Sequence, residues 1–193
     1  MEKEVLANLL EPTNKSIADF VRDPATKMDA YGPSVGKGSI YRISKFAPTR
    51  RIIHYVGVIQ DAEALVLSGD PDEFAKFIER SNVSLLRPED RLGLGKEFLT
   101  IAVAGAQRLQ IIESVDSIKP RPGLDDARSA QFQAFVAKYT SIVKPPSCSG
   151  ETCSYFAIAG QDLALFELKI STSGEITFEK KVLEKELLIP YAM

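Results

Sequence analysis

Residues 172–182 run Thr172-Ser173-Gly174-Glu175-Ile176-Thr177-Phe178-Glu179-Lys180-Lys181-Val182. Thr172-Ser173-Gly174 is turn chemistry, and the residues after it alternate. Ile176, Phe178, Lys180 and Val182 share one face, while Glu175, Thr177, Glu179 and Lys181 share the other, as in a half-buried strand. Leu163 to Ser171 is a second strand-like run, Tyr155 to Ala159 a third, and Gly160-Gln161-Asp162 joins them. Connections this short leave no room for a crossover helix, so the strands pair antiparallel. The last third of the chain therefore reads as an antiparallel meander.

Upstream of it, Asp125 or Asp126 caps a helix with Phe132, Phe135, Val136, Tyr139 and Val143 on one side, and Lys144-Pro145-Pro146 ends it. Phe98, Ile101, Ala102, Gly105, Leu109 and Ile112 recur at intervals of three and four. That spacing predicts a long buried helix over 96–115, although Leu99 to Val103 also fits a buried strand. Asp70, Pro71 and Glu73 form a helix start of the capping-box kind. Phe74, Phe77 and Ile78 are its buried face, and it ends near Ser81-Asn82. Ile40 to Phe46, Ile52 to Ile59 and Ala64 to Leu67 read as strands, the last two joined as a hairpin at Gln60-Asp61-Ala62. Pro24, Gly32, Pro33, Gly36 and Gly38 mark residues 24–38 as loop. Residues 1–23 read as two short helices, with Val5, Leu6, Leu9 and Leu10 on the first and Ile17, Phe20 and Val21 on the second.

The order is helices, strands, helices, strands, which points to an α+β fold. The expected architecture is an antiparallel sheet with helices packed on one face. Two to three strands come from the N-terminal half and three from the C-terminal meander. An N-terminal helical arm and linker (1–31) precedes a single α+β domain (32–193). The strands, helices and closing meander are similar in order to sensor folds of the PAS or GAF kind, a similarity of topology carrying no motif.

The chain has 193 residues, a net charge of -2, one His, two Cys and no Trp. One copy therefore cannot build a zinc site on three His, on four Cys or on two of each, nor an iron–sulfur cluster on four Cys. No cofactor is expected. The longest apolar run, Phe98 to Gly105, is far short of the roughly 18 residues that span a bilayer, so no membrane association is expected. Met1-Glu2-Lys3-Glu4-Val5-Leu6 lacks the apolar core of a secretion signal, and a cytoplasmic location is expected.

Gly32-Pro33-Ser34-Val35-Gly36-Lys37-Gly38-Ser39 departs from a phosphate-binding loop. Tyr31 stands where the first Gly is needed and Gly38 where Ser or Thr is. Gly93-Leu94-Gly95-Lys96 fails the same test. From Ala30 to Gln60 there is no acidic residue, whereas Lys37, Arg42, Lys45, Arg50 and Arg51 stand among Tyr41, Phe46, His54 and Tyr55. Cations interleaved with aromatics suit an anion-binding surface, since bases stack and phosphates pair. The same cations could pair with acids elsewhere, such as Glu175, Glu179, Glu184 or Glu186.

Cys148 and Cys153 enclose Ser149-Gly150-Glu151-Thr152. Reduced thiols and a disulfide both remain open; the spacing is not that of a catalytic Cys-x-x-Cys pair. His54 shares a strand face with Ile52, Val56 and Val58, a core or rim position rather than that of a catalytic base. The acidic groups Asp70, Asp72 and Glu73, Glu89 and Asp90, and Asp125 and Asp126 each fit a helix start. No reactive constellation converges, so the chain reads as a non-enzymatic module that binds a partner protein or a small apolar ligand. Polyanion binding through the basic strands 37–55 is the alternative, and an enzyme or thiol-redox protein comes last. The N-terminal arm and the apolar run Leu187 to Tyr191 are the elements expected to mediate association, with a partner or with a second copy.

Overall fold

Asn14 accepts a hydrogen bond from Ile17 N, which starts the second of two N-terminal helices, α1 (Lys3–Leu10) and α2 (Lys15–Arg22). Arg22 fixes the pair, donating to Glu4, Asn8 and Glu11. The computed structural model describes residues 1–85, 87–104 and 109–190, and the backbone alone at 33 and 34. Gly105 and Tyr191, used in the expectations above, lie outside the described residues. The chain forms two compact units, one of residues 1–85, 101–104 and 172–175, the other of residues 87–100, 109–171 and 176–190.

The first unit is built on the antiparallel sheet β1 (Lys27–Val35), β2 (Gly38–Phe46), β3 (Arg51–Ile59) and β4 (Glu63–Val66), in that order. Residues 27–35 fall within the stretch 24–38 that reads as loop. These residues form an edge strand instead, where a proline deprives no neighbour of a hydrogen bond. The register breaks between Tyr31 and Val35, which absorbs Gly32 at its positive φ. Leu6, Ala7, Leu10, Ala18 and Val21 are buried against Ile43, Val56, Val58 and Ala64 on one face. On the other face lies α3 (Pro71–Arg80), whose capping Asp70 accepts from Glu73 N at 2.9 Å. Phe77 of α3 covers Gly57 and Gly38, where any Cβ would collide with its ring. The helices expected as an arm thus form a layer of this unit, most of their apolar face packed on the sheet and Val5 left exposed.

The second unit is built on β5 (Leu109–Ile112), β6 (Ser147–Ser149), β7 (Thr152–Ala159), β8 (Asp162–Ile170) and β9 (Ile176–Glu184). The order is β5-β7-β8-β9, with β6 also paired to β7. Helix α4 (Pro88–Phe98) lies over Tyr155 and Ile170, and Gly95 permits that approach because a Cβ there would strike the Tyr155 hydroxyl. Tyr155 Oη donates to Leu92 O at 2.8 Å. Helix α5 (Asp126–Tyr139), capped by Asp125 on Arg128 N, buries Phe132, Phe135 and Tyr139 against Ile158, Leu163, Leu187 and Ile189. The apolar C-terminal run therefore packs back onto its own unit.

Three further expectations change. The long helix over 96–115 is instead α4, a π-helical turn at Leu99–Val103 and the strand β5. The antiparallel α+β class stands, but the strands of the two halves form two sheets rather than one. The single central sheet of a PAS or GAF fold is not formed by the described residues.

Candidate functional site

The five cations singled out in the sequence are placed at different sites. Lys37 sits in the two-residue turn between β1 and β2, with its backbone N–H bonded to Ser81 O at 2.7 Å. At Gly36 a Cβ would strike the same carbonyl, so the glycine serves a close backbone contact rather than a phosphate. Arg50 and Arg51 lie at the opposite end of β2, about 27 Å away at ~3.4 Å per strand residue. Between them, Arg42 Nη2 is 3.2 Å from Asp29 Oδ2, and Lys45 Nζ donates to Asp23 Oδ2. The lysine, followed by the backbone N–H of Ala25, holds the Asp23 carboxyl below its ordinary range. The acids that pair with these strands are thus Asp23 and Asp29, just upstream of the acid-free stretch.

What remains is the end of the β2–β3 hairpin. Ala47 N donates to Arg50 O at 2.8 Å and closes the loop. Phe46 and Arg51 face each other across the strands, and so do Ser44 and Ile53. In an antiparallel pair these four side chains share one face. Arg51 Nη2 donates to Ser44 Oγ at 2.9 Å, which sets the guanidinium 5.4 Å from the centre of the Phe46 ring. Phe46 is 74% exposed and Ile53 39%, and Arg50 is exposed beside them. Arg50 and Arg51 have no ion-pair partner among the described residues. The hairpin end therefore presents an apolar ring and a β-branched side chain with two cations.

The reactive residues are placed elsewhere. His54 pairs with Ile43 across the sheet and lies edge-on to Phe20 of α2, ring centres 5.1 Å apart. Burial pushes its pKa down. Cys148 and Cys153 face each other across β6 and β7 and are joined as a disulfide, Cα atoms 4.0 Å apart. Among the described residues, no cluster of three His, Cys, Asp or Glu could hold a metal ion. Among the same residues, no helix is long and apolar enough to cross a membrane.

No family model, curated protein or solved structure matches this chain.

Two concavities are lined by described residues of a single unit and bear on ligand binding. In the first unit, one of about 600 Å³ is lined by Lys76, Glu79, Asn82 and Val83 with Ser173–Glu175. In the second, one of about 200 Å³ lies among Ile112, Ile118, Ile158 and Ile189, with Gln110, Ser117 and Lys119 at its wall. Ligand pockets typically run from about 300 to 1,000 Å³, so this cleft is small for one. Two groups escape a reading of the sequence. Glu97 on α4 has its pKa pushed up to about 7 by burial. Arg91, on the same helix, is buried with no partner for its Nε among the described residues. No periodicity or motif distinguishes either from an ordinary helical charge.

Proposed function

We propose that this chain is a non-enzymatic module that binds a partner protein through the end of its β2–β3 hairpin. The observation that carries the proposal is the exposed Phe46 ring, held against Arg51 instead of folding onto the body. Aromatic and arginine side chains dominate the energetics of protein interfaces, because they fill a pocket and hydrogen-bond at its rim. The matching partner surface is an apolar socket with acidic groups beside it. The small cleft gives less support to a small-ligand role. A cytoplasmic location belongs to the same proposal; the disulfide weighs against it, since such bonds are rare in reducing compartments.

A photo-crosslinking residue placed at Phe46 identifies the partner. Binding of that purified partner is then compared for the parent and Phe46→Ser. Loss of at least about tenfold in affinity is expected of a buried aromatic anchor. Equal binding by the two proteins would remove the hairpin end from the interface.

Polyanion binding is supported at the same place only by Arg50, Arg51 and the exposed ring. Retention of the parent on heparin at low salt, lost in Arg50→Glu/Arg51→Glu, is its signature. No retention by the parent would dispose of it.

A further inference from the structure

An open sheet must end somewhere, and exposed edges invite pairing unless blunted. Three edge positions of this chain are blunted. β1 carries Pro33 and a break in register, β4 has four residues, and the β5 and β6 side has strands of four and three. β9 is different. It is nine residues long, holds neither Pro nor Gly, and pairs with β8 in unbroken register from Ile176 to Val182. Among the described residues no strand pairs with its other edge. Residues 177–182 are all exposed, with Phe178 at 38% and Val182 at 37%.

The geometry points to a second copy of this chain as the occupant of that edge, with β9 pairing antiparallel to its own copy about Lys180. In that register Phe178 lies opposite the second copy's Val182, and Glu179 opposite its Lys181, each pair occurring twice about the two-fold axis. The two large apolar side chains left exposed on β9 thus meet each other, Phe178 keeping its edge-on contact with the Phe98 ring of its own unit (ring centres 5.4 Å apart), and Glu179 meets a lysine. Shifting the register by one position sets Phe178 opposite Leu183 but Glu179 opposite Val182. Shifting it by two in the other direction sets Glu179 against Glu179 and Phe178 opposite Lys180, which loses both the apolar pairs and the Glu–Lys pairs. Lys180 meets its own copy at the centre, a like-charge pair that costs this register some stability; its ammonium lies 5.8 Å from the centre of the Phe166 ring of its own sheet, turned away from the dyad.

A second observation bears on Glu179. Its cross-strand neighbour on β8 is Glu167, a like-charge pair directly opposed. Such pairs are destabilising, and here Lys169 and Lys181, two positions away on the same face, flank it only diagonally. A lysine on the outer side of Glu179 offsets it. Lys181 of a second copy stands in that place in the proposed register. Lys180 guards against indiscriminate pairing, while the Glu179–Lys181 complement admits this one.

The test uses the full chain with its native disulfide intact. Sedimentation is followed from micromolar to millimolar concentration for the parent, Glu179→Lys, Lys181→Glu and the double exchange. A reversible dimer is expected for the parent. Each single change, acting twice per dimer, should weaken it by about tenfold or more, and the double exchange should restore it. Glu179→Lys sets a lysine opposite Glu167, so its fold is kept, which circular dichroism verifies. Independently, Lys180→Cys should form an interchain disulfide under mild oxidation, whereas Lys181→Cys alone should not. A parent that stays monomeric at millimolar concentration overturns the proposal. So does a dimer indifferent to the single charge changes, one not restored by the double exchange, or one in which Lys180→Cys fails to cross-link.

Discussion

Replacing Glu97 by glutamine should stabilise the second unit, and only at neutral and alkaline pH. An ordinary glutamate titrates at 4.5, whereas burial on α4 pushes Glu97 up to about 7. The folded state therefore binds a proton that the unfolded state has lost, and stability falls as pH rises between those two values. At ~1.4 kcal/mol per pH unit of difference, the ionised carboxylate costs at most about 3 kcal/mol at pH 8. Glu97 is only half-buried, and screening by the water that reaches it brings the cost to about 1–2 kcal/mol. A glutamine side chain has the same shape and no charge, so Glu97→Gln regains that amount. In a chain of this size that is a rise in melting temperature of about 2–8 °C. Near pH 4.5 the folded carboxyl is protonated and the unfolded one half so, which leaves a gain of roughly a few tenths of a kcal/mol. His54 contributes with the opposite slope, since burial lowers its pKa and acid is what destabilises it. Its contribution is common to both proteins, so the difference between them at each pH removes it. Urea unfolding followed by circular dichroism suits a chain without Trp. A gain that is the same at pH 4.5 and pH 8, or a loss at pH 8, would refute desolvation as the source of the shift.

Three further outcomes follow from named contacts. Gly57→Ala drives a methyl into the buried Phe77 ring and should destabilise the first unit by about 1–3 kcal/mol, read as a lower urea midpoint. Tyr155→Phe removes the hydroxyl that bonds Leu92 O and leaves that carbonyl without its partner, a loss of about 1–2 kcal/mol; an unchanged midpoint would mean that water replaces the bond. Reduction of Cys148–Cys153 opens a loop with a sequence separation of only 5, so the entropic loss is about 2 kcal/mol, seen as a lower melting temperature in reductant. Cys148→Ser/Cys153→Ser should melt at that lowered temperature whether or not reductant is present.

The parts of the fold that can be read from sequence are those specified locally. Asp70 with Pro71 and Glu73 marks the start of α3 because the cap and the residues it serves lie within three positions of each other. The β7–β8–β9 meander is legible for the same reason, each strand pairing with the next through a short turn. Residues 27–35 are hard to read because Gly32 and Pro33 carry the same signal in a loop and in a bulged edge strand. The difference lies in β2, which supplies the partner. The stretch 96–115 misleads in another way. Its apolar spacing suits a helix throughout, yet β5 forms because β7 offers an edge some forty residues later. The division into two sheets rests on equally remote pairings.

The basic stretch shows why charge counted along a chain is a poor guide to a site. An acid-free window of thirty-one residues suggests a continuous positive surface, but a strand's side chains leave on alternate faces and its two ends lie far apart. Arg42 and Lys45 are neighbours in sequence yet face opposite sides, and each meets an aspartate from just outside the window. Lys37 is separated from Arg50 and Arg51 by the full length of β2. Within this stretch only the hairpin end keeps cations together without acids, and what singles it out is apolar: Phe46, the last residue of β2, stands 74% exposed. The edge of β9 follows the same logic, since Phe178 and Val182 remain exposed on a strand where the proposed pairing sets Glu179 opposite Lys181. In both places the informative residues are ordinary in composition and become distinctive only through what their neighbours leave uncovered. A search for reactive side chains passes over them, and it is on these uncovered apolar groups that association should be disrupted by substitution without loss of fold.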